Sequence, residues 1–164
     1  MKKKQKWSSV ALLLLFIVGL SVMLYPAISS YWNSRTQSEA IIDYEKMLAR
    51  MPKEDYTKIF EEAEKYNRDL YSLSFPLIEH NQIEGYYDLL DISGTGMMGY
   101  ITIDVIGLEL PVYHGTGENV LALAVGHVEG SSLPIGGINT HSVLSAHRGL
   151  PTATLFTNLE FLPL

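Results

Sequence analysis

Histidine is the residue type in this sequence best suited to proton transfer or metal binding, because its side chain titrates near neutral pH. The chain has five histidines, and four of them fall within 34 residues: His80 lies upstream of His114, His127, His141 and His147. Cysteine is absent from all 164 residues. Its absence excludes disulfide scaffolds, cysteine–zinc sites and a thiol nucleophile within the sequence.

The spacing of the histidines does not favour a metal centre. Zinc needs three or four converging ligands, and successive separations of 13, 14 and 6 residues match no compact ligand motif. The sequence also lacks a G-x-S-x-G elbow, a Walker loop and an H-E-x-x-H helix. We therefore predict no metal site and no cofactor.

His147 has the sequence context most typical of catalysis. It follows the short apolar run 142–145 and precedes Arg148-Gly149-Leu150-Pro151. A strand that ends in a loop containing Gly and Pro holds a histidine rigidly while leaving it open to solvent. That arrangement suits general acid–base catalysis, so His147 is the candidate catalytic residue.

The elements that must position His147 begin with an apolar segment. Residues 10–28 form an uncharged run rich in Leu, Ile and Val, preceded by four lysines within residues 1–9. A helix of this length spans about 28 Å, close to the ~30 Å hydrocarbon core of a bilayer. We predict a cytoplasmic basic tail at 1–9, a single-pass transmembrane anchor at 10–28 and an extracellular body. A cleaved signal peptide, with Ala27-Ile28-Ser29 at its cleavage site, is the alternative.

The charge of the body argues against one class of partner. The net charge is −6 and the N-terminal lysines supply +4, so the remainder carries −10. Nucleic-acid binding requires a basic face, and we predict no nucleic-acid partner. Apolar residues make up 47% of the chain and charged residues 18%, which excludes a disordered protein.

Two helices are predicted between the anchor and the body, as a hairpin at 29–70. Apolar residues recur with helical spacing over 36–50, where Ser34 or Thr36 could cap the helix, and again after Pro52. The second helix presents one apolar face: Tyr56, Ile59, Phe60, Ala63, Tyr66, Asn67 and Leu70. The hairpin is interpreted as a spacer packed on the following domain, and a partner-binding coiled coil is the alternative.

The C-terminal part of the sequence has the pattern of short strands separated by turns. Ser, Pro, Asn and Gly residues mark turns within 71–99, which is predicted to form a loop. Strands are predicted at 100–105, 108–113 and 142–145, and a short helix at 152–162. This pattern indicates a mainly β fold, a barrel or sandwich with helical decoration. So few strands leave an open edge, so the barrel at 100–164 is expected to be incomplete.

Four ordered motifs in this region resemble one enzyme family. They are Met98-Gly99-Tyr100-Ile101, Leu110-Pro111-Val112-Tyr113-His114-Gly115-Thr116, Gly126-His127-Val128-Glu129-Gly130-Ser131-Ser132-Leu133-Pro134, and the His147 stretch ending in Leu155-Phe156-Thr157. The sequence from about Tyr86 onward resembles the class C, pilus-assembling sortases of Gram-positive bacteria. The membrane anchor and helical hairpin agree with the N-terminal arrangement of that family.

The resemblance implies a fold and an activity. The fold is an eight-stranded β-barrel, here a sortase-like barrel preceded by a transmembrane helix and an α-helical hairpin. The family's cysteine thiolate attacks the Thr–Gly bond of an LPxTG-like sorting signal, and a pilin lysine then takes the acyl group. Pilins or surface proteins are therefore the expected partners. His147 matches the catalytic histidine, whereas His127 and His141 match other positions and receive no catalytic role.

Two features of the sequence depart from the family pattern. The catalytic cysteine and arginine have no counterpart here, and Arg148 does not match that arginine, so we expect a chain truncated before both residues and inactive alone. A lid with Asp-Pro-aromatic is replaced by Ser74-Phe75-Pro76 in the lid-like segment 71–99. The alternative function is that of a non-catalytic truncated membrane protein or an accessory binding module.

Overall fold

The computed structural model describes residues 2–163; Met1 and Leu164, the outermost residues of the predicted tail and barrel segment, lie outside the described residues. The α-helices and β-strands of the described part are α1 (Lys2–Arg50), α2 (Lys53–Tyr71), α3 (Pro76–Glu79), β1 (Met97–Ile103), β2 (Leu108–His114), α4 (Glu118–Leu121), β3 (Val125–His127) and β4 (Leu144–Ser145). Short 3₁₀ helices lie at His80–Gln82, Tyr86–Asp88, Asp104–Ile106 and Leu155–Phe161.

Helix α1 is a single helix of 49 residues that joins the apolar run to the first predicted helix of the hairpin. The hydroxyls of Thr36 and Ser38 donate to carbonyl oxygens one turn earlier, at 3.1 Å each. These residues therefore bond within a continuing helix and do not cap a new one. The part from Ser9 to Arg50 has a window of mean hydropathy 2.5 with no buried residue, so it is long and apolar enough to cross a membrane.

Helix α2 packs on the body through the face that the sequence indicates. Its buried residues are Ala63, Tyr66, Asn67 and Leu70, which recur at helical spacing. Pro52 immediately precedes the helix, where its missing N–H has no cost. Charged side chains of the opposite face form solvent-exposed pairs one turn apart, such as Lys58 with Glu62.

The strands form one sheet in the order β1-β2-β3-β4. β1 and β2 are antiparallel and pair Ile103 with Leu108; β2 and β3 are parallel; β3 and β4 are antiparallel. The prediction misses β3, because Val125-Gly126-His127 is too short to establish an alternating pattern. The predicted helix at 152–162 is a 3₁₀ helix that begins at Leu155.

The prediction of a mainly β fold is wrong for the described residues. Helices hold more than half of them, and α1 alone contributes 49 residues. The sheet has four strands, of which β3 has three residues and β4 two. The turn-rich sequence between the motifs folds into short helices and irregular segments, so strands occupy only a small part of the described residues.

Asn67 connects α2 to the centre of the core. Its side-chain Oδ1 accepts a hydrogen bond from the Leu133 N–H at 2.7 Å, and its Nδ2 donates to the Leu133 carbonyl at 3.3 Å. Asn67 is 6% exposed and Leu133 is fully buried. Because one amide satisfies both backbone groups of a buried residue, α2 is held in a fixed register against the 131–135 segment.

We predict that Asn67→Ala lowers the free energy of unfolding by about 2–3 kcal/mol, because it leaves two buried backbone groups without partners. Urea unfolding of the chain in detergent micelles measures the change. Arg68→Ala, on the exposed face of the same helix, is the matched control and should change stability by less than about 0.5 kcal/mol. Equal effects of the two substitutions would contradict the role assigned to Asn67.

Candidate active site

His147 lies two residues beyond β4, at a bend exposed to solvent. Its carbonyl oxygen accepts a hydrogen bond from the Phe156 N–H at 3.1 Å. The Gly149 N–H donates to Thr157 Oγ1 at 2.9 Å, and Arg148 pairs with Glu160. The backbone around His147 is therefore tied to the 3₁₀ helix Leu155–Phe161, while its imidazole is open to solvent.

Strand β4, which leads to His147, is held by β3 and by the turn that follows β3. The pairs are Gly126 with Ser145 and His127 with Leu144. A Cβ at position 126 would lie 2.3 Å from the Gly115 carbonyl oxygen, so the close approach of β2 and β3 requires glycine there. In the Gly126-His127 motif, the glycine permits the close approach of two strands and the histidine side chain is buried.

The turn after β3 is joined to the segment before β4 by reciprocal hydrogen bonds. The Ser132 N–H donates to the His141 carbonyl at 2.9 Å, and the His141 N–H donates to Ser132 Oγ at 3.1 Å. The Val143 N–H donates to Ser131 Oγ, also at 3.1 Å. The two serines thereby satisfy backbone groups that a longer β-ladder would satisfy.

His127 is fully buried and lies at the centre of this arrangement. Its Nε2 is 2.8 Å from the Ser132 carbonyl oxygen, and its Nδ1 is 2.8 Å from the Tyr86 hydroxyl. A carbonyl only accepts, so Nε2 carries the proton and Nδ1 accepts from Tyr86. The Tyr86 oxygen in turn accepts a hydrogen bond from the Gly115 N–H at 3.1 Å.

Burial sets the protonation of both members of the Tyr86–His127 pair. Desolvation lowers the pKa of His127 below its ordinary value, against the smaller opposing effect of the hydrogen bond to Ser132. Desolvation also raises the pKa of Tyr86. Both side chains are therefore neutral at pH 7, which suits a structural hydrogen bond and not proton transfer to a substrate.

The other histidines occupy separate places. His114, 6% exposed, has Nδ1 2.9 Å from the Gly96 carbonyl oxygen and Nε2 2.8 Å from that of Leu89. The exposed imidazole of His141 lies before β4, and His80 has Nδ1 3.7 Å from a carboxylate oxygen of Glu129. Within the described residues, no three His, Cys, Asp or Glu side chains converge as a metal site would require.

The lid-like segment packs against the turn Glu129-Gly130. A Cβ at position 130 would lie 2.7 Å from Leu77 Cα, so glycine permits this contact, and its φ of +81° favours glycine as well. Glu129 accepts a hydrogen bond from Tyr87. The Phe75 ring, however, is 64% exposed, and its N–H donates to Glu79 Oε2 at 2.9 Å. The segment is thus fastened through backbone packing and Glu129 and not through Phe75.

Sequence reasoning missed the structural importance of Tyr86 and Glu129. Tyr86 is 41 positions from His127 in the chain, and Tyr87 is 42 positions from Glu129. No periodicity or local motif reports a pair at such separations. Both tyrosines fall in the predicted loop 71–99, where Gly85 has a left-handed φ and precedes the 3₁₀ helix Tyr86–Asp88.

Comparisons with known proteins agree with this geometry. A search of curated protein sequences finds no match. The sortase domain family matches residues 101–163, which include β4 and His147. Sortase C1 from Streptococcus agalactiae has 44% sequence identity and a TM-score of 0.67, over 77% of this chain and 66% of that one.

The chain is a member of the sortase family. Sortase C-1 from Streptococcus pneumoniae is 39% identical, with a TM-score of 0.64 over 76% of this chain and 66% of that one. Sortase C-1 from Actinomyces oris is 43% identical, with a TM-score of 0.58 over 67% and 63%. The likeness is to class C sortases, and this chain spans 63–66% of the length of these three structures.

In this sortase we predict that Tyr86→Phe lowers the free energy of unfolding by about 2–4 kcal/mol, because the buried His127 Nδ1 and Gly115 N–H both lose their partner. Thermal unfolding followed by near-ultraviolet circular dichroism measures the loss. Tyr87→Phe removes a hydroxyl from the neighbouring ring, which is 59% exposed, and serves as the control with a much smaller effect. A neutral Tyr86→Phe would refute the buried network.

The lowered pKa of His127 predicts a pH dependence of stability. The unfolded chain binds a proton at this histidine below about pH 6.5, whereas the folded chain does not until its lower pKa is reached. The contribution of neutral His127 to the free energy of unfolding is complete above about pH 6.5 and is lost as the pH falls below that value. As the pH is lowered from about 7.5 to about 5, the free energy of unfolding should fall more steeply for the wild type than for His127→Gln. Parallel pH profiles would contradict this assignment.

Proposed function

We propose that the protein acts in a sortase-type cysteine transpeptidation. The substrate is an LPxTG-like sorting signal that is cleaved between Thr and Gly and joined to a pilin lysine, in pilus polymerisation or surface-protein attachment. The observation that carries the proposal is the exposed imidazole of His147, at the end of a strand within the matched sortase region. Its backbone is fixed and its side chain is open to an incoming peptide.

The proposed chemistry has two steps. A cysteine thiolate attacks the threonine carbonyl carbon, a C–S bond forms, the Thr–Gly C–N bond breaks, and His147 gives a proton to the departing glycine amine. A lysine amine then attacks the thioester, a new C–N bond forms and the C–S bond breaks. His147 takes a proton from the attacking amine, so thiolate and imidazolium are both restored.

The thiolate and the oxyanion cation must come from outside these 164 residues. The sequence contains no cysteine. Arg148 lies beside His147 but is paired with Glu160, and we assign it no role at the oxyanion. We therefore propose that these residues supply His147 and the surrounding scaffold and do not catalyse the transfer by themselves.

The same proposal places the protein in the cell membrane of a Gram-positive bacterium. The apolar part of α1 would be the single anchor, with the lysine-rich N-terminus in the cytoplasm and the body facing the cell wall. Pilins or other surface proteins that carry sorting signals are the proposed partners. This location brings the enzyme to substrates that are themselves exported.

An accessory binding module is the second candidate, favoured by the absence of cysteine. It would bind a sorting-signal peptide without cleaving it. Isothermal titration of the 164-residue chain in detergent with an LPxTG peptide separates the two functions. Tight, sequence-specific binding of the peptide supports an accessory binding module. Negligible binding supports a sortase that needs further residues to hold its substrate.

We predict that His147→Ala, in a protein that also supplies the cysteine, lowers the rate of acyl transfer by at least about 100-fold, the usual contribution of a general acid–base residue. Release of the glycine-containing fragment from a labelled sorting-signal peptide, followed by chromatography, measures the rate. His141→Ala is the matched control, since His141 is also exposed to solvent and lies six residues upstream.

The control should retain near wild-type transfer. The proposal fails if His147→Ala transfers as fast as His141→Ala, or if the cysteine-free chain itself cleaves the peptide. Circular dichroism of both variants verifies that the fold is unchanged, because neither imidazole is buried.

A further inference from the structure

The helix that could cross a membrane is also part of the folded body, and no free linker separates the two. Asn33 Nδ2 donates a hydrogen bond to the Thr152 carbonyl at 3.0 Å, five residues after the end of the apolar run at Ile28. Ser30 lines a cavity of about 190 Å³ together with Gly107. The body therefore makes contact with α1 from its first residues outside the apolar run.

Strand β1 runs along α1 toward the apolar run. Near the start of the strand, the Tyr44 hydroxyl donates to the Met98 carbonyl at 3.0 Å. After its end, Gly107 shares a cavity with Ser30. Ser34 and Gln37 of α1 line the same cavity, so the residues that follow the strand lie beside the stretch Ser30–Gln37 of the helix. The strand therefore begins beside Tyr44 and ends toward the Ser30–Gln37 stretch, so it runs opposite in direction to α1.

This alignment fixes the height of the turn between β1 and β2 above the apolar run. Ser30 is two residues, about 3 Å along the helix, beyond Ile28. The headgroup layer on each side of a bilayer is about 5–7 Å thick. Gln37, at the other end of the cavity, is nine residues or about 13 Å beyond Ile28. A bilayer that encloses residues 10–28 would therefore place the turn 104–107 at or just above its headgroup layer.

Several side chains at this level are apolar and exposed. Val105, in the turn, is 71% exposed, and Phe161, at the end of the 3₁₀ helix that contacts the turn, is 68% exposed. Tyr31 and Trp32 of α1 are each 68% exposed at the same height. Aromatic side chains favour the membrane–water interface, and an apolar tip gains free energy by entering it.

We propose that the turn Asp104–Gly107 and the neighbouring Phe161 rest on the leaflet through which α1 leaves the bilayer. The inference rests on the proposed membrane anchoring of α1 and adds a second, peripheral contact made by the body. Asp104 in the turn and Glu109 after it are also exposed, and their carboxylates are repelled by anionic lipid. The contact is therefore made by the apolar side chains and does not depend on anionic lipid. The body stands on the bilayer at a fixed height, and the His147 loop, tied to α1 through Thr152, is held close to the membrane.

The absence of native cysteine allows a direct test with the full chain. Val105→Cys, Tyr31→Cys and Met47→Cys are each labelled with an environment-sensitive fluorophore and reconstituted into phosphatidylcholine vesicles that contain lipid with a quencher near the headgroup. Tyr31 reports insertion of α1. Met47, 43% exposed and about 28 Å beyond Ile28 along the helix, is the distal control.

We expect the fluorescence lost at position 105 to approach the loss at position 31, with no loss at position 47. Quenching at position 31 but not at position 105 would overturn the contact while leaving the anchor intact. Absence of quenching at position 31 would overturn both the contact and the membrane anchoring on which it rests. The three positions are exposed, so the labels report location without disturbing the core.

Discussion

The buried hydrogen bonds of His127 are the interaction on which the described body most depends. One imidazole joins the Tyr86 segment to the Ser131-Ser132 turn, and Tyr86 also satisfies the Gly115 N–H at the end of β2. The two serines of this turn accept hydrogen bonds from the segment that precedes β4, and β4 leads to His147. Because the Tyr86 hydroxyl, the His127 imidazole and the Gly115 N–H lie in buried residues, loss of one partner leaves others unsatisfied at a cost of about 1–3 kcal/mol each. Stability and placement of the candidate catalytic residue therefore depend on the same few atoms.

Helix α1 adds a second constraint, from outside the core. It contacts β2 and β1, and its side chains hydrogen-bond the carbonyl oxygens of Met98 in β1 and of Thr152, which follows β4. A helix cannot bend freely between two such contacts. The orientation of the body relative to the apolar run is thus determined by packing and not by a linker, in contrast to an enzyme on a flexible stalk.

The sequence patterns that predicted correctly were local ones. Helical spacing identified the buried face of α2, including Asn67, and ordered motifs identified the family. The prediction of a separate helix that starts near Thr36 and the prediction of a mainly β fold were wrong. Hydroxyl residues can bond backward within a helix as well as cap one, and β3 is a strand only because β2 and β4 lie beside it. The Tyr86–His127 pair was beyond any local pattern, since the fold alone brings the two residues together.

Two histidines of the same motif region illustrate how environment divides roles between identical side chains. His127 is fully buried between two fixed partners, and burial lowers its pKa, so it serves as a neutral link. His147 is open to solvent, and no described residue forms a side-chain hydrogen bond with it, so its imidazole is available to a substrate. The fixed backbone comes from Phe156 and from the attachment of Thr152 to Asn33. A rigid main chain with a free imidazole is the combination that general acid–base chemistry requires, because proton transfer needs both a defined position and access.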